Sequence, residues 1–197
     1  SVASPALAQA LEGTVDRIGR KVGKLDAIGA DPAARTDARV VEVEVRLDEL
    51  GMPDLMTDLC KLKRGLILMV GATGSGKSTT LAAMIDDLNA RLNGHIITIE
   101  DPIEFVHPRR NCLVSQREVG VHSPSFAEAL HSALREDPDV VLVGELRDLE
   151  TMSIAVTAAE MGILVMGTLH TNGAAATVDR IVNAFPADKQ AHVRTML

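Results

Sequence analysis

The chain has 197 residues, carries a formal net charge of −7, and contains three Phe but no Tyr or Trp. Its length suits one sizeable domain, while the acidic balance and the near absence of aromatic stacking platforms argue against nucleic-acid binding. No apolar run approaches the roughly 20 residues that a membrane helix requires, so we expect a protein that is at most peripheral to a membrane.

Residues 1–48 differ in character from the rest of the chain and predict a short β-rich segment. Over 41–48, Val and Leu alternate with charged residues, which is the pattern of a strand with one buried face. The segment contains the run GTVDRIGRKVGKLDAIGADPAARTDARVVEVEVRLDE, which resembles the C-terminal β segment of periplasmic adaptor (membrane-fusion) subunits of bacterial exporters. That resemblance implies a role in packing or assembly and no catalytic residue.

Residues 49–197 alternate between apolar strands and amphipathic helices. A short helix over 54–62 is predicted to bury Leu55, Leu59 and Leu62. The other predicted helices cover 79–92, 126–134 with Ser125 as N-cap, 149–160, 174–184 and 187–196, and the predicted strands cover 65–70, 96–99, 112–115, 140–143 and 163–167. Strands that alternate with helices predict an α/β fold, in which a mainly parallel sheet is flanked by helices on both faces.

A glycine-rich loop joins the strand over 65–70 to the helix that begins at Thr79, and it reads Gly71-Ala72-Thr73-Gly74-Ser75-Gly76-Lys77-Ser78. The pattern G-x-x-x-x-G-K-[ST] between a strand and a helix predicts a phosphate-binding loop. Glycines let the backbone turn its N–H groups toward phosphate oxygens, and the N-terminal end of the helix adds further N–H groups. We expect residues 71–79 to bind ATP, with Lys77 at the β- and γ-phosphates and the Ser78 hydroxyl on Mg²⁺.

Polar side chains follow three predicted strands at their carboxyl ends, where ligands bind in parallel sheets. These are Glu100, Asp101 and Glu104 after the second strand, Glu145, Arg147 and Asp148 after the strand over 140–143, and Thr168, His170 and Thr171 after the last strand. Nucleotide hydrolysis requires a carboxylate near Mg²⁺, a second carboxylate that orients water, and a donor near the γ-phosphate. Each residue alone also fits a solvated loop acid or a structural histidine, so it is their convergence on one edge that favours a nucleotide hydrolase.

Several long motifs follow the phosphate loop in order: after GATGSGKSTT come ITIEDPIEFVH, SQREVG, ALREDPDVVLVGELRDLET and GTLHTNGAAATVDRI. With these motifs, residues 49–197 resemble the type IV pilus retraction ATPases of the secretion-ATPase superfamily. The resemblance implies a RecA-like P-loop NTPase core that works in the cytoplasm as a hexameric ring and docks on the inner-membrane platform protein of a pilus machine. It also implies that Glu104 positions the attacking water, that Glu145 serves Mg²⁺ directly or through water, and that His170 lies near the γ-phosphate.

The sequence after the predicted helix over 174–184 separates two branches of that superfamily. Pilus-assembly and type II secretion ATPases usually continue into a four-cysteine metal module. Here FPADKQAHVRTML stands in its place, which is similar to the retraction branch. The expected function is therefore to power pilus retraction (twitching motility), and an assembly or secretion ATPase is the alternative.

Two further alternatives come from what the resemblance does not cover. The family's arginine-donating N-terminal domain is not recognisable in residues 1–48. A missing arginine finger costs about 10³–10⁵ in rate, so one alternative is a chain that binds ATP but hydrolyses it slowly, unless Arg117, Arg135 or Arg147 substitutes. The other, resting on residues 1–48 alone, is an adaptor-like assembly protein.

The ends of the chain and its internal junction indicate a piece of a longer or rearranged protein. The chain lacks an initiator Met and ends inside a predicted helix, so we expect an ATPase core that is truncated at its C-terminus. Periplasmic adaptors and cytoplasmic ATPases belong to different compartments. The junction near 46–51 is therefore a candidate for an artificial join.

Overall fold

The computed structural model describes the backbone of residues 41–42 and the whole of residues 46–197. The strands are β1 (Val41–Glu42), β2 (Gly65–Val70), β3 (His95–Glu100), β4 (Phe105–Val106), β5 (Leu113–Glu118), β6 (Val140–Val143) and β7 (Leu164–Leu169). The helices are α1 (Asp54–Leu59), α2 (Lys77–Arg91), α3 (Phe126–Ala133, continued by a 3₁₀ turn over Leu134–Glu136), α4 (Leu149–Glu160), α5 (Ala174–Ala184) and α6 (Ala187–Met196). The bounds of α4, α5 and α6 are those that the sequence predicts.

Five strands form one parallel sheet in the order β2–β7–β6–β3–β5, which confirms the predicted fold class. Because all five run the same way, their carboxyl ends lie along a single edge of the sheet. The prediction that Thr168 follows the last strand is wrong. β7 pairs with the whole of β2, from Gly65 opposite Leu164 to Val70 opposite Leu169, and this pairing keeps Thr168 within the strand.

The core is aliphatic and lies on both faces of the sheet. Successive residues of each central strand contribute to opposite layers, as strand geometry requires. One layer contains Ile97, Val141 and Val165 and is covered by α3, α4, α5 and α6. The other contains Ile96, Leu142 and Met166 and is covered by α1 and α2. None of the helices in the described part of the chain is long and apolar enough to cross a membrane.

The first helix buries a different face from the predicted one. Met56 and Cys60 are buried, whereas Leu62 lies beyond the end of the helix and is exposed. The leucine spacing alone suggested an inner face over 55–62. The helix ends at Leu59, and the next residue, Cys60, contacts α2, where its Sγ lies 3.8 Å from the Met84 carbonyl oxygen. The buried side of α1 is therefore the one that carries Met56 and Cys60.

The described part of the N-terminal segment contains one short strand that pairs with the rest of the chain. β1 runs parallel to β4, with Val41 opposite Phe105 and Glu42 opposite Val106. The prediction that the strand continues to Leu47 is wrong, because residues 47–51 form a turn in which the Leu50 N–H donates to the Arg46 carbonyl at 3.1 Å. Residues 1–40 and 43–45 lie outside the described residues, so the β-rich segment over 1–48 stays a prediction.

Candidate functional site

The glycine-rich loop between β2 and α2 ends at Gly76, the N-cap residue of α2. Gly76 has φ 84° and ψ 14°, a left-handed conformation that residues with a Cβ atom rarely adopt. No side chain among the described residues caps this helix end. The N–H groups of the first turn therefore point out of the helix toward the carboxyl edge of the sheet, which is the geometry that binds anions at helix N-termini.

Lys77, the first residue of α2, reaches back across the loop that precedes it. Its ammonium donates to the carbonyl oxygens of Gly71 at 3.0 Å and Ala72 at 2.8 Å. Burial lowers the pKa of the Lys77 ammonium, and the negative charge of Glu145 acts in the opposite direction. The lysine is thus held at the mouth of the loop, where phosphate oxygens can replace two neutral carbonyl acceptors with charged ones.

Glu145 and His170 come together because the ends of β6 and β7 are joined. The Thr168 hydroxyl donates to the Gly144 carbonyl at 2.5 Å, and the Leu146 N–H donates to the Thr168 carbonyl at 3.0 Å. The His170 Nε2 consequently lies 3.5 Å from the Glu145 Oε1. The Arg147 Nε lies 2.7 Å from the other carboxylate oxygen, Oε2, and forms an ion pair with it.

The acidic turn after β3 is fixed by side chains of the neighbouring strand β5. The Glu118 carboxylate accepts from the Ile103 N–H at 2.9 Å, and the Gln116 amide donates to the Phe105 carbonyl at 2.8 Å. Glu104 lies between these two attachments. Glu100, at the end of β3, accepts from the Thr98 hydroxyl at 2.6 Å, and its burial raises the pKa of its carboxyl group.

One cleft of about 600 Å³ at the carboxyl edge contains most of the residues that the sequence singles out. From the loop, these are Thr73, Gly74, Gly76, Lys77, Ser78 and Thr79, and from the strand ends they are Glu104, Glu145 and His170. Gly71 and Ala72 contribute instead the carbonyls that hold Lys77. The backbone N–H of Ser75 donates to the Ala72 carbonyl at 3.3 Å within the loop.

The three arginines considered as substitutes for an arginine finger lie in different places. Arg147 lines the cleft. Arg117 forms an ion pair with Glu136, and Arg135 belongs to the 3₁₀ turn, so neither lines it. Among the residues that the structure describes, Arg147 is the single arginine in the cleft.

Sequence reasoning missed Pro102 and Phe126, which also line the cleft. Phe126 is the first residue of α3 and is 9% exposed. The sequence predicts it only as an apolar helix position. Its place directly after the N-cap residue Ser125, whose hydroxyl accepts from the Glu128 N–H at 3.2 Å, was the available signal that it lies at a helix end.

The donor set suits Mg²⁺ bound together with phosphates. The Ser78 hydroxyl and the Glu145 carboxylate line the same cleft, and both are hard oxygen ligands. Within residues 46–197, no group of three or more His, Cys, Asp or Glu side chains could hold a metal by itself. Mg²⁺ typically takes only one or two protein carboxylates and completes its shell with phosphate oxygens and water, so these residues fit it.

Comparison with known families accounts for this arrangement. The model of the family described as Type II/IV secretion system protein matches residues 36–189, which is most of the chain. The chain belongs to this family. The matched range crosses the junction near 46–51, while the division of the chain into units at 48/49 stays a prediction.

Members of this secretion-system family with established names are close in sequence. The "Type IV pilus retractation ATPase PilT" of Pseudomonas aeruginosa is 60% identical over 151 residues, which cover 77% of this chain and 44% of that protein. The "Twitching motility protein" of Neisseria gonorrhoeae is 57% identical over 171 residues, which cover 86% of this chain and 45% of that protein. The chain thus spans less than half the length of these relatives.

A solved structure of a family member has the same fold. The crystal structure of the pilus retraction motor PilT with bound ADP matches with a TM-score of 0.77 at 56% identity, over 80% of this chain and 46% of that one. The ATPase DotB of Legionella pneumophila matches with a TM-score of 0.72 at 38% identity, over 78% of this chain and 42% of that one. The RecA-like ATPase fold implied by the sequence is confirmed.

Proposed function

We propose that this chain is the ATPase core of a motor that powers type IV pilus retraction. The proposal rests on one observation. The phosphate loop with Lys77 lines the same cleft as Glu104, Glu145 and His170. The retraction ATPases and twitching motility protein among its relatives support the choice of motor. An assembly or secretion ATPase is less favoured, because the relatives named for those systems are 41–47% identical.

Binding of ATP falls to the loop and the start of α2. The N–H groups there and the Lys77 ammonium contact the β- and γ-phosphates, and the Lys77 contacts to the Gly71 and Ala72 carbonyls give way to phosphate oxygens. Ser78 and Glu145 hold Mg²⁺, the latter directly or through water. When bound, Mg²⁺ neutralises charge that develops on the phosphates during transfer.

Hydrolysis falls to the strand ends. Glu104 orients the attacking water and accepts its proton, a role that requires a carboxylate at a fixed position. The hydrogen bonds from Gln116 and Glu118 hold the turn that carries Glu104. His170 lies beside Glu145 and donates toward the γ-phosphate. Both roles raise turnover and contribute little to nucleotide affinity.

The partners follow from the same proposal. The chain works in the cytoplasm, peripheral to the inner membrane at most, as part of a homohexameric ring that docks on the pilus platform protein. A second candidate function is a nucleotide-binding chain with slow hydrolysis. It is favoured by one observation: the single arginine that the described residues contribute to the cleft is already paired with Glu145.

The first test separates nucleotide binding from its absence. Lys77→Ala should weaken binding of a non-hydrolysable ATP analogue with Mg²⁺ by on the order of 100-fold, because it removes a charge-assisted contact to two phosphates. Titration calorimetry measures this, with Lys189→Ala, an exposed lysine on α6, as the control. Equal affinity in the parent and Lys77→Ala would refute the assignment of the loop.

The second test uses Glu104→Gln to separate binding from hydrolysis. Replacing the water-orienting carboxylate with an amide should lower phosphate release by about 100-fold or more while leaving analogue affinity nearly intact. Glu128→Gln, at an exposed position in the first turn of α3, is the matched control. If Glu104→Gln released phosphate as fast as the parent, the role given to Glu104 would be wrong even with the binding site intact.

A further inference from the structure

Among the described residues, Lys77 and Arg147 supply the lysine and arginine side chains that line the cleft, and both contact acceptors that belong to the protein. Lys77 donates to two loop carbonyls, which are neutral. Arg147 forms an ion pair with Glu145, a carboxylate that the proposed function also assigns to Mg²⁺ binding. Arg147 and Mg²⁺ would therefore both contact the Glu145 carboxylate, whereas the hydrogen bonds of Lys77 use no ligand of the metal.

The geometry around Glu145 makes this sharing a competition. One carboxylate oxygen lies 2.7 Å from the Arg147 Nε and the other 3.5 Å from the His170 Nε2, so nitrogen atoms face both oxygens. A guanidinium stays charged throughout the physiological pH range, so the competition ends only if Arg147 moves away. Its side chain is 61% exposed and the Glu145 side chain 21%, so the arginine is the partner with room to move.

The neighbouring carboxylate, that of Asp148, is not available as an alternative ion-pair partner for Arg147. Asp148 is the N-cap residue of α4, and its two carboxylate oxygens accept from the backbone N–H and the hydroxyl of Thr151, each at 2.8 Å. These bonds also fix the backbone on the C-terminal side of Arg147, while buried Leu146 fixes it on the other side. When it leaves Glu145, the guanidinium remains at the cleft, where phosphate oxygens carry the highest density of negative charge.

We propose, on the basis of the proposed function, that Arg147 binds the γ-phosphate and that it is paired with Glu145 until nucleotide binds. With nucleotide bound, Glu145 would hold Mg²⁺, and the Arg147 guanidinium would then pass from the carboxylate to the terminal phosphate. The chain thereby supplies from its own Glu145–Asp148 segment a cation that stabilises the triphosphate. No covalent bond changes in this exchange.

The expected signature is a changed preference between nucleotides. Arg147→Gln should bind a non-hydrolysable ATP analogue about tenfold more weakly than the parent, because one charge-assisted contact to the γ-phosphate is lost. ADP lacks that phosphate, so its affinity at saturating Mg²⁺ should stay within about twofold. The Mg²⁺ concentration that half-saturates ADP binding should fall, because Glu145 no longer has a competing partner.

The experiment is titration calorimetry of the full chain with ADP and with the ATP analogue over a series of Mg²⁺ concentrations. Arg147→Lys retains the positive charge without the planar fork and should recover part of the lost analogue affinity. Arg194→Gln is the matched control, since Arg194 also pairs with a carboxylate, that of Asp179 at 3.3 Å, but on α6 and outside the cleft. Melting temperatures of all variants verify that each is folded.

The outcomes separate this inference from the function on which it rests. Arg147→Gln with unchanged analogue affinity and an unchanged Mg²⁺ midpoint would overturn the inference while ADP binding by the parent still supported the proposed function. Equal losses for ADP and the analogue, together with a lower melting temperature, would assign Arg147 a structural role and overturn the inference as well. Absence of ADP binding by the parent would overturn the proposed function itself.

Discussion

His107 is a buried histidine without a polar partner for one of its ring nitrogens. It lines a small pocket together with Ser78, Glu100 and Phe105, it is 7% exposed, and its Nδ1 accepts and donates no hydrogen bond among the described residues. Burial lowers the pKa of His107 from 6.5 to about 4. The ring is therefore neutral in the folded protein wherever the pH is well above 4.

This pKa predicts how stability depends on pH. Between pH 4 and 6.5 the unfolded chain binds the His107 proton and the folded chain does not, so folding stability rises with pH across that window. The contribution is present above about pH 6.5 and is lost as the pH falls, and it amounts to at most about 3 kcal/mol. His107→Phe should flatten this part of the curve of unfolding free energy against pH, measured by urea denaturation.

The matched control is His131→Phe, which replaces an exposed histidine on α3 and should retain the parent slope. A slope that is the same in the parent and His107→Phe between pH 4 and 6.5 would contradict the assignment of this titration to His107.

At the scale of elements, the far end of α2 is attached to the segment that follows β4. Asn89, fully buried on α2, donates from its side chain to the Pro108 carbonyl at 2.7 Å and accepts from the Cys112 N–H at 3.3 Å. Arg110 in the same segment lies 3.1 Å from the buried carboxylate of Asp86. That contact is an ion pair by distance but lacks hydrogen-bond geometry, and burial raises the pKa of Asp86.

The hydrogen bonds of the Asn89 side chain predict that its removal lowers the stability of the protein substantially. Asn89→Ala removes the side-chain partner of the half-buried Pro108 carbonyl and of the buried Cys112 N–H, which should lower the free energy of unfolding by about 2–4 kcal/mol. Asn183→Ala removes the same side chain from an exposed position of α5 and should change stability by less than about 0.5 kcal/mol. Urea denaturation measures both, and similar values for the two variants would mean that the attachment contributes little.

Sequence signals succeed for elements whose ends are set locally. The sequence predicts Ser125 as the N-cap of α3, and the Ser125 hydroxyl has that role. Asp148, which the sequence places among the acids of the site, caps α4 instead. Sequence signals fail where packing decides, as in α1, where contact with α2 selects Met56 over the leucines. The convergence of acids at one edge follows from strand direction, but the Arg147 contact with Glu145 depends on side-chain conformations that no pattern encodes.

At the scale of the whole molecule, the cleft is open and contains few cations for a triphosphate site. Lys77 and Arg147 are the basic side chains that the described residues place there beside His170, against Glu100, Asp101, Glu104 and Glu145. A neighbouring subunit that contributes further positive charge would complete the site. This is a physical reason for the ring that the proposed function includes.

The ring hypothesis predicts that turnover depends on protein concentration. The rate of ATP hydrolysis per chain should rise with concentration, because association completes the site, and light scattering with an ATP analogue should show a mass above that of the monomer. Lys77→Ala should not associate in response to the analogue. A constant rate per chain together with a monomeric mass at high concentration would remove the support for ring formation by these 197 residues.

The aromatic poverty of the chain has a spectroscopic consequence. With no Trp and no Tyr, the protein is nearly silent in ultraviolet fluorescence, and Phe126 is the aromatic side chain that lines the cleft among the described residues. Phe126→Trp would therefore introduce the single indole of the whole chain, at the edge of the site. Every change in emission on mixing with nucleotide would then come from that position, so the arrival of ATP and the departure of ADP could be timed without an external dye.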